Sequence, residues 1–180
     1  MSPEFSKSQI ALATAGAMIA VSALTFVADV TQALMVLGSF GASTLLLFAL
    51  PDAPLAQPRA VVGGHLLASL IALGCLALFG QTWWAVGMAT GLAVGGMMWT
   101  RTVHPPAGSN AIIVFLAKPS WSLLLFSTLA GTVLLIVLAW AYHRTTRRHR
   151  YPRYWRVEPK TGVAALAENA GQRTEVAVAT

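Results

Sequence analysis

Chemistry concentrates at one stretch of this chain, Arg101-Thr-Val-His-Pro-Pro-Ala-Gly108, which runs on into Ser109 and Asn110. Pro105 and Pro106 have no backbone N–H, and a proline holds the residue before it extended. Val103 and His104 should therefore be extended, with a helix beginning near Pro106. The first free N–H groups of that helix belong to Ala107, Gly108 and Ser109. A helix start carries unpaired donors and the positive end of a dipole, which suits an anion. Gly108 lets a ligand approach the backbone, and Ser109 and Asn110 add side-chain donors. His104 sits at the break, where its ring can bind an anion or carry a proton near neutral pH.

A second place reads the same way. Gly38-Ser39-Phe40-Gly41 looks like a break, and Gly41-Ala42-Ser43-Thr44 like the helix start after it. Two such starts meeting near the middle of a membrane would form a small anion site. His65 lies inside an apolar segment, and ionisable residues there usually face a cavity or the bundle interior. Arg59 and Arg101 flank two segments on one predicted side and could draw anions toward an entrance lined by Gln57. Asp29 and Asp52 are expected as helix caps in short loops. Two histidines without thiol or carboxylate neighbours make no metal site, and the lone Cys75 reads as a packing residue. No nucleophile–base pair with an acid partner stands out, so neither an enzyme nor a cofactor is expected.

The elements that must hold these residues are membrane helices. Of the 180 residues, 56% are hydrophobic and 10% charged, against roughly 25% charged in an average soluble domain. Mean hydropathy is +0.66. Between Ser8 and Tyr142 the charges are Asp29, Asp52, Arg59, Arg101 and Lys118 alone. Apolar segments run over 8–28, 31–50, 60–80, 83–100, 106–117 and 121–142. A span needs ~20 residues, so the fifth, of about a dozen, is too short to cross as helix alone. Positive residues favour the cytoplasmic side. Six crossings with the Arg-rich end inside put Lys7, Arg59 and Arg101 inside and Lys118 outside. A four-span alternative, with the second and fifth segments re-entrant, separates Arg59 from Arg101.

Residues 41–51 and 107–119 share small residues and a serine, then an aliphatic run, a phenylalanine and a proline. Three segments per half require the halves, 8–80 and 83–142, to be inverted, a known transporter design. Gly87, Gly91, Gly95 and Gly96 put a glycine stripe on one face of the fourth segment, either an internal seam or one between copies, and a homo-oligomer is expected. A short cytoplasmic stub (1–7) precedes the membrane domain (8–142). A basic segment (143–160) follows, whose Arg144–Arg156 run should meet anionic lipids rather than nucleic acid. Residues 161–180 are expected to be disordered.

The Arg101–Gly108 run resembles the signature of the HPP family of small integral membrane proteins. Gly38-Ser-Phe-Gly-Ala-Ser43, Pro54-Leu-Ala-Gln-Pro-Arg59 and Gly63-Gly-His65 are similar to further family motifs, in the family's order. The usual asparagine after Gln-Pro-Arg is Ala60 here, and the family is usually described with four spans. Chloroplast and cyanobacterial members are implicated in nitrite transport, which implies anion transport for this chain. The reading is an all-α polytopic protein of about six segments in two inverted halves with interrupted helices. The resemblance implies a channel or carrier for a small inorganic anion, nitrite foremost, and a bacterial inner membrane with both termini cytoplasmic is expected. The substrate-binding set is Ser39, Gly41, Ser43, Thr44, His65, His104, Pro106, Gly108, Ser109 and Asn110. The alternative is a scaffold or sensor that transports nothing.

Overall fold

A computed structural model describes residues 5–31, 37–147 and 149–155. The expectations for residues 1–4, Arg148 and 156–180 lie outside it. The described residues form six α-helices in order: α1 (Lys7–Thr31), α2 (Leu37–Ala49), α3 (Pro58–Phe79), α4 (Trp83–Thr100), α5 (Pro105–Ala117) and α6 (Trp121–Thr146). A single 3-10 turn, Pro54–Ala56, lies between α2 and α3. Residues 7–29 of α1, all of α3 and all of α6 are long and apolar enough to cross a membrane; α2 and α5 are shorter apolar helices.

The ends are set locally. Prolines open α3 and α5, where the missing N–H has no intrahelical role. The Ser120 hydroxyl caps α6 by accepting from the Leu123 N–H at 3.3 Å. Gly80, at φ +65°, closes α3 with its N–H on the Leu76 carbonyl. The helices α4, α5 and α6 instead end on Arg101, Lys118 and Arg147, all left-handed, with φ of 56°, 47° and 52°. Glycine would take that conformation without strain; a cation there faces the negative end of the helix dipole.

Five expected segments match α1, α3, α4, α5 and α6 to within four residues at either end, and the second segment does not. Gly38-Ser39-Phe40-Gly41 is no break: α2 runs helical from Leu37 through all four. Gly41–Thr44 is therefore not a helix start but the helix's second turn, its N–H groups already used inside the helix. Asp29 lies in the last turn of α1 and Asp52 in a loop, so neither caps a helix start.

At the centre stands α3, packed by α4, α5 and α6, while α2 lies against α1, α5 and α6. The short helices α2 and α5 run antiparallel: Ser43 meets His104 at one end, and Gly38 lies by Ile113 at the other. Leu47, Val61, Val114, Phe115, Leu124 and Leu135 fill the core. Among the described residues nothing lies within 4 Å of where a Cβ on Gly87, Gly91 or Gly95 would sit, so these three make no internal seam there, whereas a Cβ on Gly96 would meet Leu67 of α3 at 3.1 Å. Trp83 and Trp99, at opposite ends of α4, are 88% and 89% exposed, as expected of aromatic belts.

Candidate functional site

Where α2, α3, α5 and α6 meet, the interior turns polar. Ser39, Ser43, His65, Ser69, His104, Asn110 and Thr128 are all fully buried there. His104 precedes α5 in extended conformation, as expected. Its Nδ1 donates to the Leu55 carbonyl at 2.7 Å, since a carbonyl can only accept. Its Nε2 lies 2.8 Å from the Ser43 hydroxyl, which also sits 3.0 Å from the Ser39 carbonyl. The His65 ring packs between those of Phe40 and His104, with centroids 5.1 and 4.9 Å away. Its Nδ1 donates to the Val61 carbonyl at 2.9 Å, and its buried Nε2 has no partner among the described residues. One turn further along α3, Ser69 accepts from the Asn110 amide at 2.5 Å and meets the Thr128 hydroxyl at 3.2 Å. Asn110 Oδ1 is likewise buried and unpartnered.

Position follows from glycine. A Cβ on Gly64 would stand 2.9 Å from both the Thr102 carbonyl and His104 Cβ, so only glycine admits the extended 102–104 segment against α3. The same contact brings His104 level with His65, one residue along the helix.

The expected residues separate into two groups. Ser43, His65, His104 and Asn110 come together, with Ser39 behind Ser43. Thr44 turns its hydroxyl back onto the Phe40 carbonyl at 2.7 Å. Pro106 is buried in the helix start, but Gly41 and Ser109 are exposed and Gly108 half-buried. Ser109 bonds the Pro106 carbonyl. The α5 start offers few donors: two prolines have none, and the Ala107 N–H is tied to the His104 carbonyl at 2.9 Å. Side chains, not helix ends, supply the polar atoms. Ser69, Thr128, Phe40 and the Leu55 carbonyl were not singled out from sequence. Ser69 does lie at i+4 from His65, and that spacing was the available signal.

Arg59 and Arg101 do share one end of the molecule, and Arg59 donates to the Thr100 carbonyl at 2.8 Å. Gln57 lines no open entrance. It is 1% exposed, donates to the Pro51 and Ala53 carbonyls, and accepts the Arg153 N–H at 3.0 Å. Through it the chain beyond α6 folds back as a strap on loop 51–57. His149 and Arg153 pair with Asp52 at 2.8 and 3.9 Å, and the Tyr151 hydroxyl donates to the Ala56 carbonyl at 3.0 Å. That loop also presents the Leu55 carbonyl to His104.

Burial pushes the Tyr151 phenol well above its ordinary value. The raised folded-state value favours the protonated, folded strap, fully so below the unfolded value of about 10 and progressively less above it. A spectrophotometric titration should show a late-titrating phenol that disappears in Tyr151→Phe; equal curves would mean the strap is open in solution.

A family model described as the HPP transmembrane region matches residues 2–152. The chain belongs to that family. Two transmembrane proteins of Dictyostelium discoideum are 33% and 31% identical to it over 132 residues, or 69% of this chain. Those residues span 42% and 46% of the relatives, so the chain covers less than half the length of either. No solved structure matches it.

Proposed function

We propose that this HPP-family membrane protein moves a small inorganic anion, nitrite foremost, across the bilayer together with a proton, by way of the His65–His104 cluster. The supporting observation is which hydrogen-bonding atoms at that cluster lack partners. With both rings neutral, His65 Nε2 and Asn110 Oδ1 present lone pairs. The single Ser43 proton must choose between His104 Nε2 and the Ser39 carbonyl. The unpartnered atoms that a bare anion would meet are acceptors, in a medium where an unpaired charge costs many kcal/mol. One added proton reverses this. On His104 it lets Nε2 donate to Ser43 while Ser43 donates to Ser39. On His65, or on the anion as its neutral acid, it supplies the missing donor. The anion and its proton together are neutral, which removes most of the cost of burial.

The reading keeps two inverted halves. Each runs long, short, long, and α2 and α5 bring their serine and asparagine to the shared centre from opposite directions. Both termini and Arg59 and Arg101 face the cytoplasm, and Lys118 faces outward. Single cysteines introduced at Asp52 and Lys118 should label from opposite sides of sealed vesicles; labelling from one side contradicts this topology.

Nitrite leads because other family members are implicated in its transport. The test is flux into proteoliposomes of nitrite, nitrate, formate, bicarbonate and chloride, less that of protein-free vesicles, which corrects for neutral acid crossing lipid unaided. Protein-dependent nitrite flux supports the reading. Flux of none of the five, from folded protein, leaves the scaffold or sensor in its place.

A further inference from the structure

A separate feature lies at the end of α6, outside the buried cluster. Arg144 occupies the last turn, the left-handed Arg147 turns the chain, and Arg150 follows on the strap. With Trp140, Tyr151 and Pro152 these arginines line a cavity of about 510 Å³. The Arg144 guanidinium lies over the Trp140 ring, 5.6 Å from its centroid, and is held there by cation–π attraction. Among the described residues none of the three arginines has a carboxylate within 4 Å; the nearby acid, Asp52, is taken by His149 and Arg153. Three guanidinium groups on one cavity repel one another until an anion joins them. Their fork geometry matches phosphate oxygens better than a spherical ion. The cavity stands where a spanning helix leaves the membrane beside an exposed tryptophan, the level of lipid headgroups.

We propose that this cavity binds the phosphate of an anionic phospholipid headgroup, with Arg144, Arg147 and Arg150 as its ligands. Strap residues 149–152 form part of the cavity's lining, so an occupied site holds the strap against loop 51–57 and steadies the Leu55 carbonyl under His104. A lipid of the inner leaflet thereby supports the buried cluster without entering it.

The test uses the full chain in detergent with short-chain phosphatidylglycerol, phosphatidylcholine or inorganic phosphate, reading retained lipid by native mass spectrometry and unfolding temperature alongside. Phosphatidylglycerol should be retained and should raise the unfolding temperature, and phosphatidylcholine should do neither. In Arg144→Gln/Arg147→Gly/Arg150→Gln retention should fall at least tenfold; glycine at 147 preserves the left-handed turn. Arg101→Gln, at another helix end, should retain lipid like the wild type. Equal retention by the triple variant and the wild type would overturn the site. Inorganic phosphate displacing the lipid at equal concentration would make it a soluble-anion site and overturn the lipid assignment. None of these readouts involves transport, so the proposal fails or stands apart from the flux reading.

Discussion

Replacing His104 with asparagine is expected to leave the protein folded, to cut proton-linked anion uptake at least about tenfold, and to flatten its response to a pH gradient. The shorter amide can still place an N–H near the Leu55 carbonyl, the contact that Nδ1 makes now at 2.7 Å. It cannot reach the Ser43 hydroxyl, and it has no second nitrogen to take a proton. A hydrogen bond to a charged group is worth ~1.5–3 kcal/mol, or roughly 10- to 150-fold in an equilibrium. His104→Ala is the less informative change, because it also strands a buried carbonyl at ~1–3 kcal/mol of stability. Uptake and thermal unfolding measured on the same preparation separate the two effects. A folded asparagine variant with the wild-type rate and pH response would remove His104 from the proton path.

Gly64→Ala should be strongly damaging for the addition of a single methyl beside the cluster. The new Cβ would fall 2.9 Å from the Thr102 carbonyl and from His104 Cβ, and 3.3 Å from the Met97 sulfur. A backbone oxygen cannot swing aside as a side-chain tip can. The 102–104 segment must move off α3, and His104 moves with it. Overpacking of this kind costs ~1–3 kcal/mol, and uptake should fall with it because His104 leaves both Leu55 and Ser43. Gly74→Ala, in the same helix with nothing within 4 Å of its Cβ, should be neutral or slightly stabilising, since alanine is the better helix former. Unfolding curves for the two variants check this; equal stability would mean that α3 and the 102–104 segment are not held as described.

Most helix limits were readable because prolines and polar residues interrupt the apolar runs. Pro105 and Pro106 forecast the extended His104 and the helix behind it. The glycines at 38 and 41 misled for a physical reason. In water, glycine weakens a helix partly because exposed backbone has solvent to bond with; within a bilayer the helix is the way its N–H and C=O groups are satisfied. Gly38 and Gly41 therefore stay helical, and the anion site expected at the 41–44 helix start lost its donors. The histidines, Ser43 and Asn110 were visible as polar types in apolar surroundings. Ser69 and Thr128 were not, because a serine or threonine in a membrane helix ordinarily bonds its own preceding turn, as Thr90 and Thr132 do. The strap was hidden as well. Asp52 and His149 stand 97 residues apart, and neither has a local pattern that announces the other.

If anion and proton cross as one neutral pair, the proton-to-anion ratio of protein-dependent uptake is one. Proteoliposomes carrying a trapped pH-sensitive dye would be given nitrite with the membrane potential clamped at values of either sign, and rates from protein-free vesicles subtracted. One proton should enter with each anion, at a rate indifferent to the potential, and both signals should fall together in His104→Asn. Nitrite entering without a proton, at a rate that follows the potential, would mark a bare-anion channel and contradict paired crossing.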